Sequence, residues 1–400
     1  MVDKTKDKSI KTKVRRNILC INIYSAVTNL YRKSKLSEDH YRSVGRTQKI
    51  HKGPLAIKHY LQSFVLYSCN ENQNIMNPNA IREFASSFQK SRILLSGFEL
   101  DIFSNIDESG TTNKQIAHKL KLDEHACERL MNALVSLGFL NKQNQTFFNT
   151  AESFAFLSKK STDYLGGLMH SNHLWNTWSN LTKVVRTGIA AHRDEINERG
   201  GDWLTPFITA MHDRAKKQAP QQLASIDLSV VKSLLDIGGG SGAYSMEFVS
   251  RKPGLEATVF DLPNVVPITK VFLEKEGFSD KVKTYAGDYT TDGLPGGFDM
   301  VFLSAIIHSN SLEVNRDLIK KCFGSLNKNG RIIIQDWIMN NDRTQPISGA
   351  VFAINMLVGT ESGDCFTEPE VTEMLRAAGF KDISRTEFET GYSRMVGYKI

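Results

Sequence analysis

The chain has 400 residues, 40% of them hydrophobic and 23% charged, with 50 Lys and Arg against 43 Asp and Glu. That is enough sequence for two or three domains of ordinary composition, and no uninterrupted apolar run is long enough to span a bilayer. The net charge of +7 belongs to one end: residues 1–60 carry fifteen Lys and Arg against four Asp and Glu, so the rest of the chain is slightly acidic and whole-protein basicity is no argument for nucleic-acid binding. Five scattered cysteines (Cys20, Cys69, Cys127, Cys322, Cys365) include no Cys-x-x-Cys pair. Neither a disulfide framework nor a zinc site is expected, and a reducing, cytoplasmic setting fits best.

Residues 1–75 are polar, basic and weakly periodic. The apolar piece Ile18 to Val27 is interrupted by Asn22 and Ser25, unlike the clean core of a signal peptide. A disordered extension is expected, with a basic contact to a membrane surface or nucleic acid, or initiation at Met76, as open alternatives. Helical spacing begins near Asn79 (Phe84, Phe88, Ile93, Leu94, Leu95) and continues through Phe98 to Phe103. Two short helices follow, with Thr112 or Asn113 and Asp123 as N-caps. The second is expected to bury Ala126, Leu130, Leu134 and Leu137. Leu140 to Phe148 then reads as a small hairpin around Asn144 and Gln145. Helix, helix, hairpin is a winged helix. Its would-be recognition helix carries Asp123, Glu124 and Glu128 against Arg129 alone, a poor match to phosphate.

Residues 164–187 are expected to form one helical segment rich in bulky groups (Met169, His170, His173, Trp175, Trp178). Trp203 to Leu223 is expected to form another, on which Phe207 and Met211 are core or pocket wall. From Leu234 onward strands and helices alternate: strands at 234–237, 256–260, 282–286, 299–303 and 331–337, with helices between them. The chain closes on a hairpin, 383–388 and 394–400, around Gly391. This is an α/β pattern, a mostly parallel sheet with helices on both faces.

The first strand runs into Asp236-Ile237-Gly238-Gly239-Gly240-Ser241-Gly242, a strand–glycine-turn–helix opening of Rossmann type. Gly238, Gly240 and Ala243 satisfy a dinucleotide fingerprint, and Asp236 to Gly242 equally satisfies Asp-x-Gly-x-Gly-x-Gly. Asp261 ends the next strand, where an acid hydrogen-bonds ribose hydroxyls. Asp288 and Tyr289 follow the third strand, placed to meet an adenine. His308 lies just beyond the fourth strand and Asp336 ends the fifth. Adjacent strand ends would bring them together, imidazole as base and carboxylate as its support.

With these residues in view, the chain resembles the small-molecule, S-adenosylmethionine-dependent O-methyltransferases that carry an N-terminal winged-helix dimerisation domain, the family of plant phenolic and acetylserotonin O-methyltransferases. The resemblance covers about Asn79 to Ile400. It implies a class I methyltransferase Rossmann-like sheet ending in an antiparallel hairpin, which a dinucleotide-binding sheet lacks, plus a mostly α N-terminal domain. The expected division is a basic extension (1–75), a winged-helix dimerisation domain with connecting helices (76–200) and a cofactor-binding catalytic domain (201–400).

Carried over by position, Gly238 and Gly240 line the methionine part of S-adenosylmethionine, Asp261 holds the ribose, and Asp288 with Tyr289 holds the adenine. Asp236, Leu262 and Ser304 are counted with the cofactor site; plant members place a lysine where Ser304 stands. His308 matches the general base and Asp336 one of its flanking acids; the second acid falls at Cys365. Phe207, Met211, Asn355, Met356 and Thr360 fall on acceptor-lining positions. The expected activity is methyl transfer to a phenolic or enolic hydroxyl of a small secondary metabolite, by a cytoplasmic homodimer, with no metal, nucleic acid or membrane partner. His308-Ser309-Asn310 stands where the family often has His-Asp-Trp, so N- or C-methylation or other S-adenosylmethionine-assisted chemistry is the alternative, and a ligand-sensing winged-helix regulator a further one.

Overall fold

The computed structural model of the protein describes residues 77–191 and 200–400; the expectations for the basic extension lie outside them. The chain divides into two compact units, Met1–Ser87 and Phe88–Ile400. In the first, the described element is helix α1 (Pro78–Ser86), opened by Asn77, whose side chain accepts from the amides of Asn79 and Ala80. The Ser87 N–H and Oγ both donate to the Phe84 carbonyl, which closes α1 where the sequence pattern ran on.

The second unit begins with α2 (Phe88–Glu99) and a helix–helix–hairpin module. A two-residue strand β1 (Thr111–Thr112) leads into α3 (Asn113–Leu120) and α4 (Glu124–Ser136). The wing β2 (Leu140–Gln143) and β3 (Thr146–Asn149) completes a small sheet in the order β1-β3-β2. Thr112, not Asn113, caps α3, in a capping box with Gln115, and Asp123 caps α4. The module's core is Ile102, Phe103, Ile116, Met131, Leu134, Leu140 and Phe147. The buried stripe of α4 is Cys127, Met131 and Leu134. Ala126 is exposed, and Leu130 and Leu137 are only half-buried. Cys127 behaves as a small apolar residue, its Sγ 3.6 Å from the Met131 sulfur, and this turns the helix away from the expected face.

Helices α5 (Ala151–Leu157), α6 (Leu168–Trp178), α7 (Leu181–Thr187) and α8 (Gly201–Leu223) connect the module to the large sheet. The single helical segment expected over 164–187 is two helices. The Ser179 hydroxyl and Asn180 amide both donate to the Asn176 carbonyl, each at 2.8 Å, and so displace the helical bonding there.

The large sheet contains β4 (Ser233–Ile237), β5 (Glu256–Asp261), β6 (Val282–Ala286), β7 (Phe298–Ser304), β8 (Leu326–Asp336), β9 (Lys381–Glu387) and β10 (Ser393–Tyr398), in the order β6-β5-β4-β7-β8-β10-β9. The first five are parallel, and β10 inserts antiparallel between β8 and β9. Helices α9 (Ala243–Arg251), α10 (Val266–Lys275), α11 (Leu312–Ser325), α12 (Ile347–Gly359) and α13 (Glu368–Ala377) complete the chain. Two apolar clusters are built on the sheet. One gathers Leu235, Phe260, Val301, Leu303, Ile332 and Ile334, and the other Leu234, Phe248, Val259, Met300 and Phe302. The alternation of these residues along β4, β5, β7 and β8 is what buries both faces and fixes strand register. The parallel strands therefore present β4, β5, β6, β7 and β8 with their carboxyl ends along one edge, and the order reverses between β4 and β7, where open α/β sheets take ligands. Among the described residues no helix is long and apolar enough to cross a membrane.

Candidate active site

The glycine loop follows β4. Gly238 (φ +63°), Gly240 (φ +56°) and Gly242 (φ +77°) adopt the left-handed conformation that side chains disfavour. A Cβ on Gly238 would collide with the Ile306 side chain. A Cβ on Gly240 would find only Ile208 Cδ1, at 3.8 Å. The loop is thus packed from behind and open in front of Gly240, where a ligand can lie against bare backbone.

Asp261, at the end of β5, pins this loop. Its Oδ2 accepts from the Gly240 amide at 2.7 Å and its Oδ1 from the Leu262 amide at 2.8 Å. Each oxygen keeps a second lone pair, enough for two hydroxyls of a ribose. Burial pushes this carboxyl up to about 6, against the pull of the two amides. Asp236 lies deeper. Its Oδ2 accepts from Ser245 Oγ at 2.7 Å, and its carboxyl packs where a Gly239 side chain would be. Burial, and then the charge of Asp261, raise it to about 7. Its geometry is that of a brace beneath the loop. Asp288 sits half-buried after β6, its Oδ1 accepting from both the amide and the hydroxyl of Thr290. Tyr289 donates from its hydroxyl to Asn310 Oδ1 at 3.0 Å. Ser304, closing β7, accepts at 3.3 Å from Gln335 Nε2, within a buried set that includes Tyr244 and Gln222.

Across the crevice the chain leaves β7 through Ala305, a non-glycine residue at φ +59°, and turns into the short 3-10 segment Ile307–Ser309. That turn sets His308 over β8. Its Nδ1 is 2.8 Å from Asp336 Oδ1, and the same oxygen accepts from the Trp337 amide. A carboxylate there takes an N–H, so Nδ1 carries the proton and Nε2 presents its lone pair. The expected pairing of these strand ends is present, with His308 7% and Asp336 1% exposed. His308 is walled by Phe352, edge-on at 4.7 Å, and by Trp337 at 5.8 Å. Cys365 is buried close enough to Asp336 for that charge, after burial itself, to push its thiol up. It is a neutral neighbour where the resemblance implies an acid.

Helix α8 passes over the loop. Ile208 and His212 face it, the His212 ring bonding Ser241 Oγ at 2.9 Å. Phe207 stacks on Trp203 at 4.9 Å and packs against the cluster of Leu204, Ile208 and Val265; Met211 is half-buried one turn on. On α12, Asn355 Oδ1 accepts from Trp178 Nε1 at 2.8 Å, and Met356 is buried. Thr360 Oγ1 donates to the Met356 carbonyl and accepts from Gly363. A Cβ on Gly363 would lie 2.5 Å from the His308 carbonyl oxygen, so α12 and its following turn are held against the His308 segment. Trp337, Arg214 and Phe352 were not singled out from sequence for this site. The signal available was the spacing Phe207, Met211, Arg214, which is i, i+4, i+7 on one helix face.

A depression lined by Met339, Asn340, Asn341, Asp342, Glu368 and Arg385 contains none of these residues. Among the described residues no three His, Cys, Asp or Glu side chains gather so as to hold a metal ion.

Comparison with known proteins finds the following likenesses. A family model described as the O-methyltransferase domain matches residues 187–381, and one described as the O-methyltransferase dimerisation domain matches residues 82–159. The chain is 29% identical over 317 residues to the 3-hydroxy-5-methyl-1-naphthoate 3-O-methyltransferase of Streptomyces sahachiroi, covering 78% of this chain and 92% of that one. It is 26% identical over 348 residues to the acetylserotonin O-methyltransferase of Gallus gallus, covering 82% and 100%. Among solved structures, PigF, a methyltransferase of Serratia crystallised with S-adenosylhomocysteine, superposes with a TM-score of 0.74 at 23% identity, over 81% of this chain and all of that one; that likeness speaks for the fold.

Proposed function

The chain belongs to the family of S-adenosylmethionine-dependent O-methyltransferases with an N-terminal dimerisation domain, and from that premise we propose that it methylates a phenolic or enolic hydroxyl of a small aromatic secondary metabolite, with His308 as general base. The observation that carries the base assignment is the His308–Asp336 contact at 2.8 Å, on the strand ends facing the glycine loop. The two matched relatives are named for aromatic hydroxyl acceptors, which supports that acceptor class here.

The residues fit S-adenosylmethionine. The open face at Gly240, with Gly238 beside it, suits the methionine backbone. Asp261, with Leu262 next to it, has acceptor capacity for the ribose. Asp288 and Tyr289 stand at the next strand end for the adenine, and Ser304 borders the crevice between them and His308. When bound, the cofactor supplies an electrophilic methyl group on sulfur.

The protein's own work is alignment and proton transfer. Holding two reactants in register contributes roughly 7–11 kcal/mol in well-oriented systems. His308 Nε2 takes the hydroxyl proton as the oxygen attacks. Asp336 keeps the tautomer and stabilises the imidazolium that forms. A positioned base contributes about 10²–10⁴-fold. Trp337, Phe352, Met356, Phe207 and Met211 exclude water from the acceptor side, while Asn355 and Thr360 fix the C-terminal half of α12. The test is turnover of His308→Ala with S-adenosylmethionine and a hydroxyaryl acceptor. Full activity at neutral pH would remove the base role.

The same reading divides the chain into the extension (1–75), the dimerisation domain with its connecting helices (76–200) and the catalytic domain (201–400), and makes the protein a cytoplasmic homodimer. The dimerisation-domain match supports the dimer, as do Phe88, Phe154 and Phe156, which stay 50%, 38% and 43% exposed. Light scattering at micromolar concentration should return twice the chain mass; a monomer would remove this part of the reading.

A further inference from the structure

Arg214 lies on α8 on the same stripe as Phe207 and Met211. Its guanidinium carbon is 4.9 Å from the centre of the Trp337 ring and 4.8 Å from that of Tyr392. It is half-buried, and no carboxylate or carbonyl oxygen accepts from it among the described residues. Asp336, beside Trp337, is committed to the His308 ring and the Trp337 amide. A guanidinium held on two aromatic faces has its position fixed by stacking, yet its in-plane N–H donors stay free.

Trp337 adds a second unused donor. Its side chain is 6% exposed, and the indole Nε1–H is buried with no acceptor among the described residues. Buried polar hydrogens in folded proteins nearly always have a partner. The same indole ring is 5.8 Å from the His308 ring, so one side chain bridges the free cation and the base.

We propose that the methyl acceptor carries a carboxylate, received by Arg214 and the Trp337 N–H while its hydroxyl lies at His308. This rests on the reading of His308 as the base for a hydroxyaryl acceptor and adds the anionic substituent that sets specificity. Arg is the residue suited to a planar, two-pronged carboxylate contact. The methyl donor also carries a carboxylate. The face of α8 turned to the glycine loop, however, is that of Ile208 and His212, whereas Arg214 lies over Trp337 and Tyr392, on the His308 side.

The experiment uses the full-length enzyme and a matched pair, a hydroxynaphthoic acid and its methyl ester. Each is assayed for methylation with S-adenosylmethionine and titrated calorimetrically into enzyme loaded with S-adenosylhomocysteine. The wild type should prefer the acid by about tenfold to a hundredfold, the range of a charge-assisted contact. In Arg214→Gln the preference should fall to within about threefold, through the acceptor KM and not the KM for S-adenosylmethionine, with an unchanged melting temperature. Trp337→Phe, which keeps an aromatic face and removes the N–H, should lose part of the preference. Equal handling of acid and ester by the wild type overturns the proposal. So does an Arg214→Gln defect confined to the methyl-donor KM or to stability. If neither compound binds while S-adenosylhomocysteine does, the carboxylate assignment falls and the methyl-donor site stands; if S-adenosylhomocysteine itself fails to bind, both fall.

Discussion

The His212 ring nitrogen Nδ1 lies 2.9 Å from Ser241 Oγ, both side chains buried, and this contact ties α8 to the glycine loop. The ring is also stacked on Phe272 at 4.3 Å, so the hydroxyl is its polar anchor on the loop side. Ser241→Ala leaves Nδ1 buried without that partner. A cost of about 1–3 kcal/mol follows, read as a lower denaturant midpoint, together with weaker S-adenosylhomocysteine binding because the loop loses its tether. An unchanged midpoint and affinity would show the contact to be incidental. Burial also lowers the His212 pKa. Its contribution to stability is present above the unfolded value of about 6.5 and is lost as pH falls through the lower folded value.

In the proposed mechanism His308 and Asp336 act as a unit, so their variants should resemble each other. His308→Gln removes the base and should lower kcat by about 10²–10⁴-fold. S-adenosylhomocysteine affinity should stay within about twofold, because on the proposed reading the ring serves the acceptor hydroxyl and not the methyl donor. Asp336→Asn should also lower kcat, since an amide that accepts less strongly no longer fixes Nδ1 as the donor. The double variant should be little worse than His308→Gln alone. Losses that multiply in the double variant would mean that Asp336 acts on something other than the imidazole.

With Asp261 as the proposed ribose acceptor, methyl-donor binding has a pH dependence of defined sign. Burial pushes the Asp261 carboxyl up to about 6. Ribose hydroxyls donating to the ionised form would favour that form. Binding of S-adenosylhomocysteine should therefore strengthen as pH rises through about 6 and release a proton near that pH. Calorimetry in two buffers of different ionisation enthalpy measures the release. Asp261→Asn should bind weakly and show no such proton release; a pH-independent affinity in the wild type between 5 and 7.5 would remove Asp261 from the site.

Much of this arrangement was legible because it depends on local pattern. The strand–glycine–helix opening, Asp261 at a strand end and the pairing of His308 with Asp336 follow from alternation and from the rule that parallel strands present their carboxyl ends together. The rest depends on contacts made across the fold. Asp236 belongs to the glycine motif, yet its carboxyl is taken by Ser245, nine residues on. Nothing in the local sequence says which way that side chain faces. The face of α4 turned on whether Cys127 counts as apolar. The break between α6 and α7 came from two side chains sharing one carbonyl. Arg214 shares its face with Phe207 and Met211, but its lack of an acceptor among the described residues is visible only once Trp337 and Tyr392, from far along the chain, are beneath it.

The buried Asp236 carboxyl should make the fold lose stability toward alkaline pH. Its pKa rises from 3.8 to about 7 on folding, through burial and then the neighbouring Asp261 charge. Between those values the folded chain holds a proton that the unfolded chain has released. The stability this group contributes is thus full below about 3.8 and is lost as pH rises through about 7. Asp236→Asn keeps an acceptor oxygen for Ser245 and cannot ionise. Its denaturant midpoint should match that of the wild type in acid and exceed it at pH 8.5, by on the order of a few kcal/mol, the scale such a shift sets. The His212 contribution changes only at acid pH and is common to both proteins, so it cancels in the difference. A variant less stable than the wild type at pH 8.5 would mean that Asp236 is held ionised by a cationic partner, and the brace beneath the loop would then be an ion pair and not a neutral hydrogen bond.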